Sequence, residues 1–200
     1  MTRRRSSYRS LASLQRDNRV CRACVEAGYP LESMPVFEGR PGQRAYILGQ
    51  APGAVEGVER RPWRGRAGKT LRRWLGLDED EFYATFYCAS VTRCYPGRAA
   101  SGRGDRTPTP REQELCAFWR ERELALLRPR FLVPVGGLAI RRLLGPTKLA
   151  DCVGCRFEVD GVATIPLPHP SGASGWLNAP AHRRLVEEAV ALIRNELIAG

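Results

Sequence analysis

The chain has few lysines, few histidines and no long apolar run. Of its 32 basic residues only Lys69 and Lys148 are lysines, and His169 and His182 are its two histidines. No stretch approaches the ~20 apolar residues that cross a bilayer, and no continuous apolar segment follows the basic start MTRRRSSYRSLASLQRDNRV. This reading excludes a transmembrane or secreted chain and leaves a cytoplasmic location as the expectation. Seven cysteines, an odd number without a secretory signal, argue against a disulfide scaffold. Metal binding and plain buried thiols remain. No internal repeat is visible.

What is present suits one compact α/β domain over residues 1–200. A chain of 200 residues with 43% hydrophobic content can bury roughly 70% of the surface its unfolded form exposes. The net charge of +11 is unevenly spread, with local excesses of +6 in 1–24, +7 in 60–73 and +4 in 93–111. Nearly all of it is arginine, whose guanidinium donates in two directions and suits phosphate. Concentrated arginine points to a polyanion such as DNA, with an arginine-biased solvated surface as the alternative.

Alternation of strand-like and helix-like segments sets the fold class. Arg44–Leu48 reads as a strand ending in the loop Gly49-Gln50-Ala51-Pro52-Gly53, and Gly68–Leu75 as a helix. Phe82–Val91 is aromatic and β-rich and is predicted as a second strand. The Gly, Arg, Ser and Pro composition of 97–110 predicts a long loop. Thr109 as N-cap, Pro110 at the first helical position and Glu112 reaching back start a helix that runs to about Leu127. Phe131–Val135 is a third strand, Gly136–Leu144 a short helix, and Arg156–Leu167 a hairpin turning at Asp160-Gly161. Asn178 is expected to cap a last helix with one wide apolar stripe. The expected architecture is three-layer α/β/α around a mainly parallel four-stranded sheet, with a basic segment 1–20 at the front and ligands at the carboxyl ends of the strands.

Three motifs fall just after strands or just before helices: Gly49-Gln50-Ala51-Pro52-Gly53, Arg61-Pro62-Trp63-Arg64-Gly65-Arg66-Ala67-Gly68 and His169-Pro170-Ser171. Together with Cys21-Arg22-Ala23-Cys24 they resemble the uracil-DNA glycosylase superfamily, closest to its iron–sulfur families 4 and 5, over nearly the whole chain. Gly68-Lys69-Thr70 is not a nucleotide-binding P-loop, because that motif needs Gly where Trp63 stands.

The two-residue spacing of Cys21 and Cys24 suits zinc and iron–sulfur sites alike. The resemblance adds Cys94 and Cys116 and implies a four-iron four-sulfur cluster with a structural role; structural zinc and uncoordinated buried thiols are the alternatives. Cys152 and Cys155 form a second such pair, for which the family pattern requires no ligand. Cys88 is expected in the core.

The resemblance implies that Trp63 stacks on a flipped pyrimidine, with Gly49, Ala51 and Ser90 around the base. His169 is the main catalytic candidate. Breaking the bond from sugar to base leaves negative charge on the departing base, and a neutral imidazole can donate to it. Ser171, Gly172 and Ser174 are expected to grip phosphate, and Arg66, Arg98, Arg103 and Arg106 to contact DNA. A structural histidine in a Pro-rich turn and a tryptophan packed under its loop are the plain alternatives, and His182 reads as a surface residue.

Three positions depart from the family pattern. Gln50 replaces the usual Glu of family 4, Gly57 replaces an acid while Glu56 remains beside it, and Ser90 replaces an Asn that reads the uracil edge. Gln50 and Glu56 stay as catalytic candidates without an assured water-activating carboxylate. Ser90 offers a short hydroxyl and more room, which widens the expected substrates to hypoxanthine and xanthine. The expected function is a monofunctional glycosylase acting as a monomer on DNA with a deaminated base. A lesion-binding protein with little turnover, or a zinc-stabilised nucleic-acid-binding protein, would share many of these features.

Overall fold

The computed structural model describes residues 2–102, 104–171 and 175–199. In chain order the elements are α1 (Leu11–Arg19), α2 (Ala23–Glu26), β1 (Ala45–Gly49), α3 (Ala54–Glu59), α4 (Arg66–Leu75), α5 (Glu79–Thr85) and β2 (Phe86–Ser90). There follow α6 (Pro110–Leu127), β3 (Phe131–Pro134), α7 (Gly137–Leu144), α8 (Leu149–Cys152), β4 (Phe157–Val159), β5 (Val162–Thr164) and α9 (Pro180–Ile198).

The sheet runs in the order β2-β1-β3-β5-β4. Pairs β1–β2, β1–β3 and β3–β5 are parallel, and β4 joins β5 antiparallel. Five strands replace the four expected, because the first arm of the predicted hairpin forms an edge strand of its own. That hairpin turns at Asp160 and Gly161, with φ of 49° and 76°, the left-handed pair a two-residue turn requires.

Alternation along the strands divides the core. Ala45, Ile47, Phe86, Cys88, Phe131 and Val133 face one side, where they meet Leu71 and Leu75 of α4 and Val186, Val190 and Ile193 of α9. Tyr46, Leu48, Tyr87, Ala89 and Leu132 face the other, against Leu11 and Leu14 of α1 and Trp119 of α6. Helices therefore cover both faces, as the three-layer expectation required. Each large aliphatic side chain in these layers contributes about 1.5–3 kcal/mol by leaving water.

Two predicted boundaries move. Phe82–Thr85 belongs to helix α5, not to the second strand: Asp78 accepts from the Glu81 amide at 2.8 Å, and the Glu81 carboxylate accepts from the Asp78 amide at 2.8 Å. That capping box and an acidic first turn outweigh the β preference of the aromatics. Asn178 sits in a short 3₁₀ turn (Trp176–Asn178), and the last helix starts with Ala179 as N-cap and Pro180 at its first position. The Thr109 cap is as expected, its hydroxyl accepting from the Glu112 amide at 3.2 Å while Glu112 accepts from the Thr109 amide at 2.7 Å. Among the described residues no helix is long and apolar enough to cross a membrane.

Between the sheet and α6 lies a buried ion pair, Arg93–Glu123, with side-chain exposures of 1% and 0%. Tyr46 donates to Glu123 at 2.7 Å, Arg93 donates to the Tyr46 hydroxyl at 3.1 Å, and Asn18 donates to Glu123 at 3.3 Å. Removing one partner of such a pair strands a charge in the interior. The network fixes the residue next to Cys94, and so ties β2 to α6 where the cysteines gather.

Candidate active site

Parallel strands end their backbone pairing at one edge, and loops leaving that edge converge. Gly49 closes β1 opposite Ser90, which closes β2. Val135 and Leu167 form the last parallel bridge, two residues before His169. The loop leaving β1 and the start of α4 complete a cavity of about 310 Å³. Gly49, Gln50, Ala51, Glu56, Trp63, Arg66, Ser90, His169 and Ser171 all line it. All three motifs thus meet in one crevice, and every expected catalytic and base-binding residue stands in its wall.

His169 backs onto the turn at Gly136, where a Cβ would come 3.3 Å from the His169 Cβ. Gly136 has φ of 88°, so both its backbone and its neighbour favour glycine. The Ser171 amide donates to His169 Nδ1 at 3.3 Å, and the Ser171 hydroxyl lies 2.8 Å from the same nitrogen. An amide can only donate, so Nδ1 is the acceptor and the neutral ring carries its proton on Nε2. The imidazole is reachable from the cavity, yet the surrounding walls desolvate it and hold its pKa below the ordinary value. The nearby carboxylates of Glu56 and Asp105 pull the other way. The result is a neutral imidazole with its proton on Nε2, in the wall of a base-sized space.

Trp63 is buried, at 8% exposure, in the left-handed region with φ of 62°. A Cβ on Gly49 would stand 3.0 Å from the indole Cζ2 and 3.3 Å from the Ser90 hydroxyl. The Gly49 backbone, the indole and Ser90 therefore form one tight wall. The Trp63 loop is braced by Arg72, which donates to the Trp63 carbonyl at 2.9 Å, and by Tyr83, whose hydroxyl donates to the Pro62 carbonyl.

Several arginines of the 60–73 stretch belong to this bracing. Arg61 binds Glu38 through two hydrogen bonds of 2.7 and 3.1 Å and lies over the Tyr83 ring at 3.8 Å. Arg64 pairs with Glu59 at 2.6 Å and also with Glu79, and Arg72 pairs with Glu79 at 3.1 Å. Arg66 is exposed on the cavity rim and Arg98 is exposed on the loop. Arg106 forms a two-pronged pair with Glu112 at 2.7 and 2.8 Å and donates to the Pro96 carbonyl at 3.0 Å. It fastens the loop to α6. Arg103, Gly172 and Ser174 lie outside the described residues.

Glu56 is tied to the backbone. Its carboxylate accepts from the Gly53 amide at 3.2 Å and from the Gly65 amide at 2.8 Å, stapling the loop after β1 to the cap of α4. Asp105 is the residue that sequence reasoning missed. It is exposed and lines the same cavity from the 97–110 loop. Its signal was there to read: it is the one acid in an arginine-rich stretch.

The cysteines form a second centre. Cys21 follows α1, Cys24 lies in α2, Cys94 follows β2, and Cys116 lies in α6; all four line one enclosed cavity. The Trp119 indole N–H donates to Cys21 Sγ at 3.2 Å, and the Arg93 amide donates to Cys116 Sγ at 3.3 Å. Burial and then the neighbouring Cys116 and Cys21 thiols push the Cys24 pKa up to about 12. Among the described residues no three His, Cys, Asp or Glu side chains are gathered around a single ion. The four thiols instead surround a shared space, a donor set that suits a polynuclear thiolate-bound group. Cys152 is buried in the core beside α9, Cys155 is exposed, and Cys88 is buried in the sheet.

The fold and cavity define an α/β protein with a glycine-lined polar crevice at the carboxyl ends of its parallel strands. The family model for the Uracil DNA glycosylase superfamily matches residues 36–191, and the chain belongs to that superfamily. The Type-4 uracil-DNA glycosylase of Sulfurisphaera tokodaii is 26% identical over 200 residues, covering 92% of this chain and 84% of that protein. The corresponding Type-4 protein of Archaeoglobus fulgidus is 28% identical over 174 residues, covering 81% and 82%. The Type-5 uracil-DNA glycosylase of Thermus thermophilus is 34% identical over 146 residues, covering 64% and 63%.

Proposed function

We propose that this chain is a monofunctional DNA glycosylase that receives a flipped deaminated base, uracil first among them, and hydrolyses its N-glycosidic bond to leave an abasic site. The observation that carries this reading is His169, a neutral donor fixed by Ser171 at the wall of a cavity of about 310 Å³. As the bond from C1′ to the base breaks, its electron pair stays with the base, and the Nε2–H stabilises that charge more than it stabilises the bound substrate. Trp63 supplies an aromatic wall for the base. Ser90 stands in that wall with a hydroxyl that can donate or accept, so the reading extends to hypoxanthine and xanthine. Gln50, which lines the same cavity, would hold a water through its amide.

In this reading Cys21, Cys24, Cys94 and Cys116 hold a four-iron four-sulfur cluster, in line with their shared cavity and the N–H donors on two of the sulfurs. Such a cluster would serve as a cross-link, tying the chain start, the end of β2 and α6 together next to the arginine-rich loop. DNA is the partner, drawn by the exposed arginines around the crevice.

The test is incubation with single- and double-stranded oligonucleotides carrying uracil, hypoxanthine or xanthine, scored for abasic sites. Release of uracil with formation of an abasic site supports the reading. Tight lesion binding without release would favour the lesion-binding alternative. Iron and labile-sulfide analysis, with absorbance near ~400 nm, tests the cluster: Cys94→Ser should lose it and Cys152→Ser should keep it.

A further inference from the structure

The carboxylates lining the cavity are Glu56 and Asp105. Neither Gln50 nor Ala51 can accept a proton from water at neutral pH, so the group that activates water has to come from elsewhere. Glu56 is held by two backbone amides, one on each of its oxygens. Its geometry is that of a staple between two loops.

Asp105 reaches the same space from a different direction. The loop that carries it is closed by Ala99 N–H to Gly104 C=O at 3.1 Å and Arg106 N–H to Gly97 C=O at 2.8 Å, with Arg98 and Asp105 paired across it. One end of this loop follows Cys94, and the other is pinned by the Arg106–Glu112 pair. A Cβ on Gly53 would lie 3.2 Å from Asp105 Oδ2 and 2.9 Å from Glu56 Oε2. Glycine at 53 therefore leaves room for the Asp105 carboxylate beside Glu56 in the cavity wall. Asp105 and His169 line the same cavity, and the carboxylate's charge favours the protonated imidazole. Burial first, and then the Asp105 carboxylate, push the Tyr95 pKa up, which sets that hydroxyl and the carboxylate near each other.

Resting on the glycosylase reading above, we propose that Asp105 is the catalytic carboxylate of this chain, a role that none of the expected site residues fills. The bond from C1′ to the base nitrogen breaks, and its electron pair leaves with the base. A water oxygen bonds to C1′, and the proton that water gives up passes to Asp105. That proton then returns through solvent to the departed base, so water is the sole co-reactant. While the sugar carries positive charge, the same carboxylate stabilises it. The iron–sulfur loop would thereby do chemistry as well as shape the surface, since Cys94 and Asp105 are two ends of one short segment.

The experiment is single-turnover release of uracil from duplex DNA at saturating protein, with DNA affinity and iron content measured on the same samples. Asp105→Asn is isosteric and exposed, so folding and iron content should be unchanged. The expected result is release slowed by about 10²-fold or more, with affinity equal to or tighter than wild type because a negative charge facing DNA is gone. Formate should restore part of the lost rate to Asp105→Ala, which a merely structural role would not permit. Wild-type rates in Asp105→Asn would overturn this inference alone, as would a slow variant that has lost DNA affinity and that formate fails to rescue in its Ala form. Failure of wild-type protein to release any base would overturn the glycosylase reading together with it.

Discussion

The Trp63 carbonyl lies directly over Gly68, so closely that a Cβ at position 68 would sit 1.7 Å from that oxygen. The first turns of α4 can pass under the Trp63 loop only because residue 68 has no side chain. The same carbonyl accepts from Arg72 at 2.9 Å, which locks the left-handed turn that aims the indole at the cavity.

Gly68→Ala should therefore push Trp63 out of its wall. Overpacking against backbone costs about 1–3 kcal/mol, and thermal or denaturant unfolding should register that loss. Base release should fall by about tenfold or more, as expected for a reacting base held out of line. Iron content should not change, because the cysteine centre lies on the opposite face of the sheet. Wild-type stability and rate in this variant would contradict the packing account.

His169 should titrate below the ordinary histidine value of about 6.5, because desolvation outweighs the two carboxylates around it. Glu56→Gln and Asp105→Asn each remove an influence that raises its pKa, so each should move the midpoint further down, as followed by NMR of the imidazole. The sign for stability follows. The folded state holds this proton less tightly than the unfolded chain, so the contribution is present above the unfolded value and is lost as pH falls through the folded one. A midpoint above the ordinary value, or one that ignores both substitutions, would contradict the geometry.

DNA affinity should fall steeply with salt, and the arginines should differ in their share of the slope. Neutralising Arg66 or Arg98, both exposed near the crevice, should flatten the slope of log affinity against log salt by about one each. Arg61→Gln should change it little, since that guanidinium is already bound by Glu38 at 2.7 Å. Equal effects from all three would mean that charge acts through net field and not through contact.

These contrasts mark what could be read from the chain. The Thr109-Pro110-Glu112 start of α6 and the Asp160-Gly161 turn were legible, because caps and tight turns are local chemistry. The convergence of Gly49, Trp63 and His169 followed from their positions at strand ends and from the family resemblance. The start of β2 was not legible: Phe82 and Tyr83 look β-like, and the deciding signal was the acidic cap from Asp78 to Glu81 just upstream. Arg61, Arg64 and Arg106 read as a DNA surface because a charge run does not reveal its partners, and Glu38, Glu79 and Glu112 are distant or unremarkable in sequence. Asp105 stood out in sequence as the one acid among the arginines of 93–111, but its place did not. Its importance comes from a loop fold that brings it to Gly53, and no spacing rule encodes that.

The most direct measurement of the central claim is single-turnover release of uracil from duplex DNA by wild type and by His169→Ala, with DNA affinity measured alongside. The account predicts release by wild type, slowed by about 10² or more in the variant, comparable to losing one donor to a developing anion, at nearly unchanged affinity. Wild-type rates in His169→Ala, or no release by either protein, would contradict it.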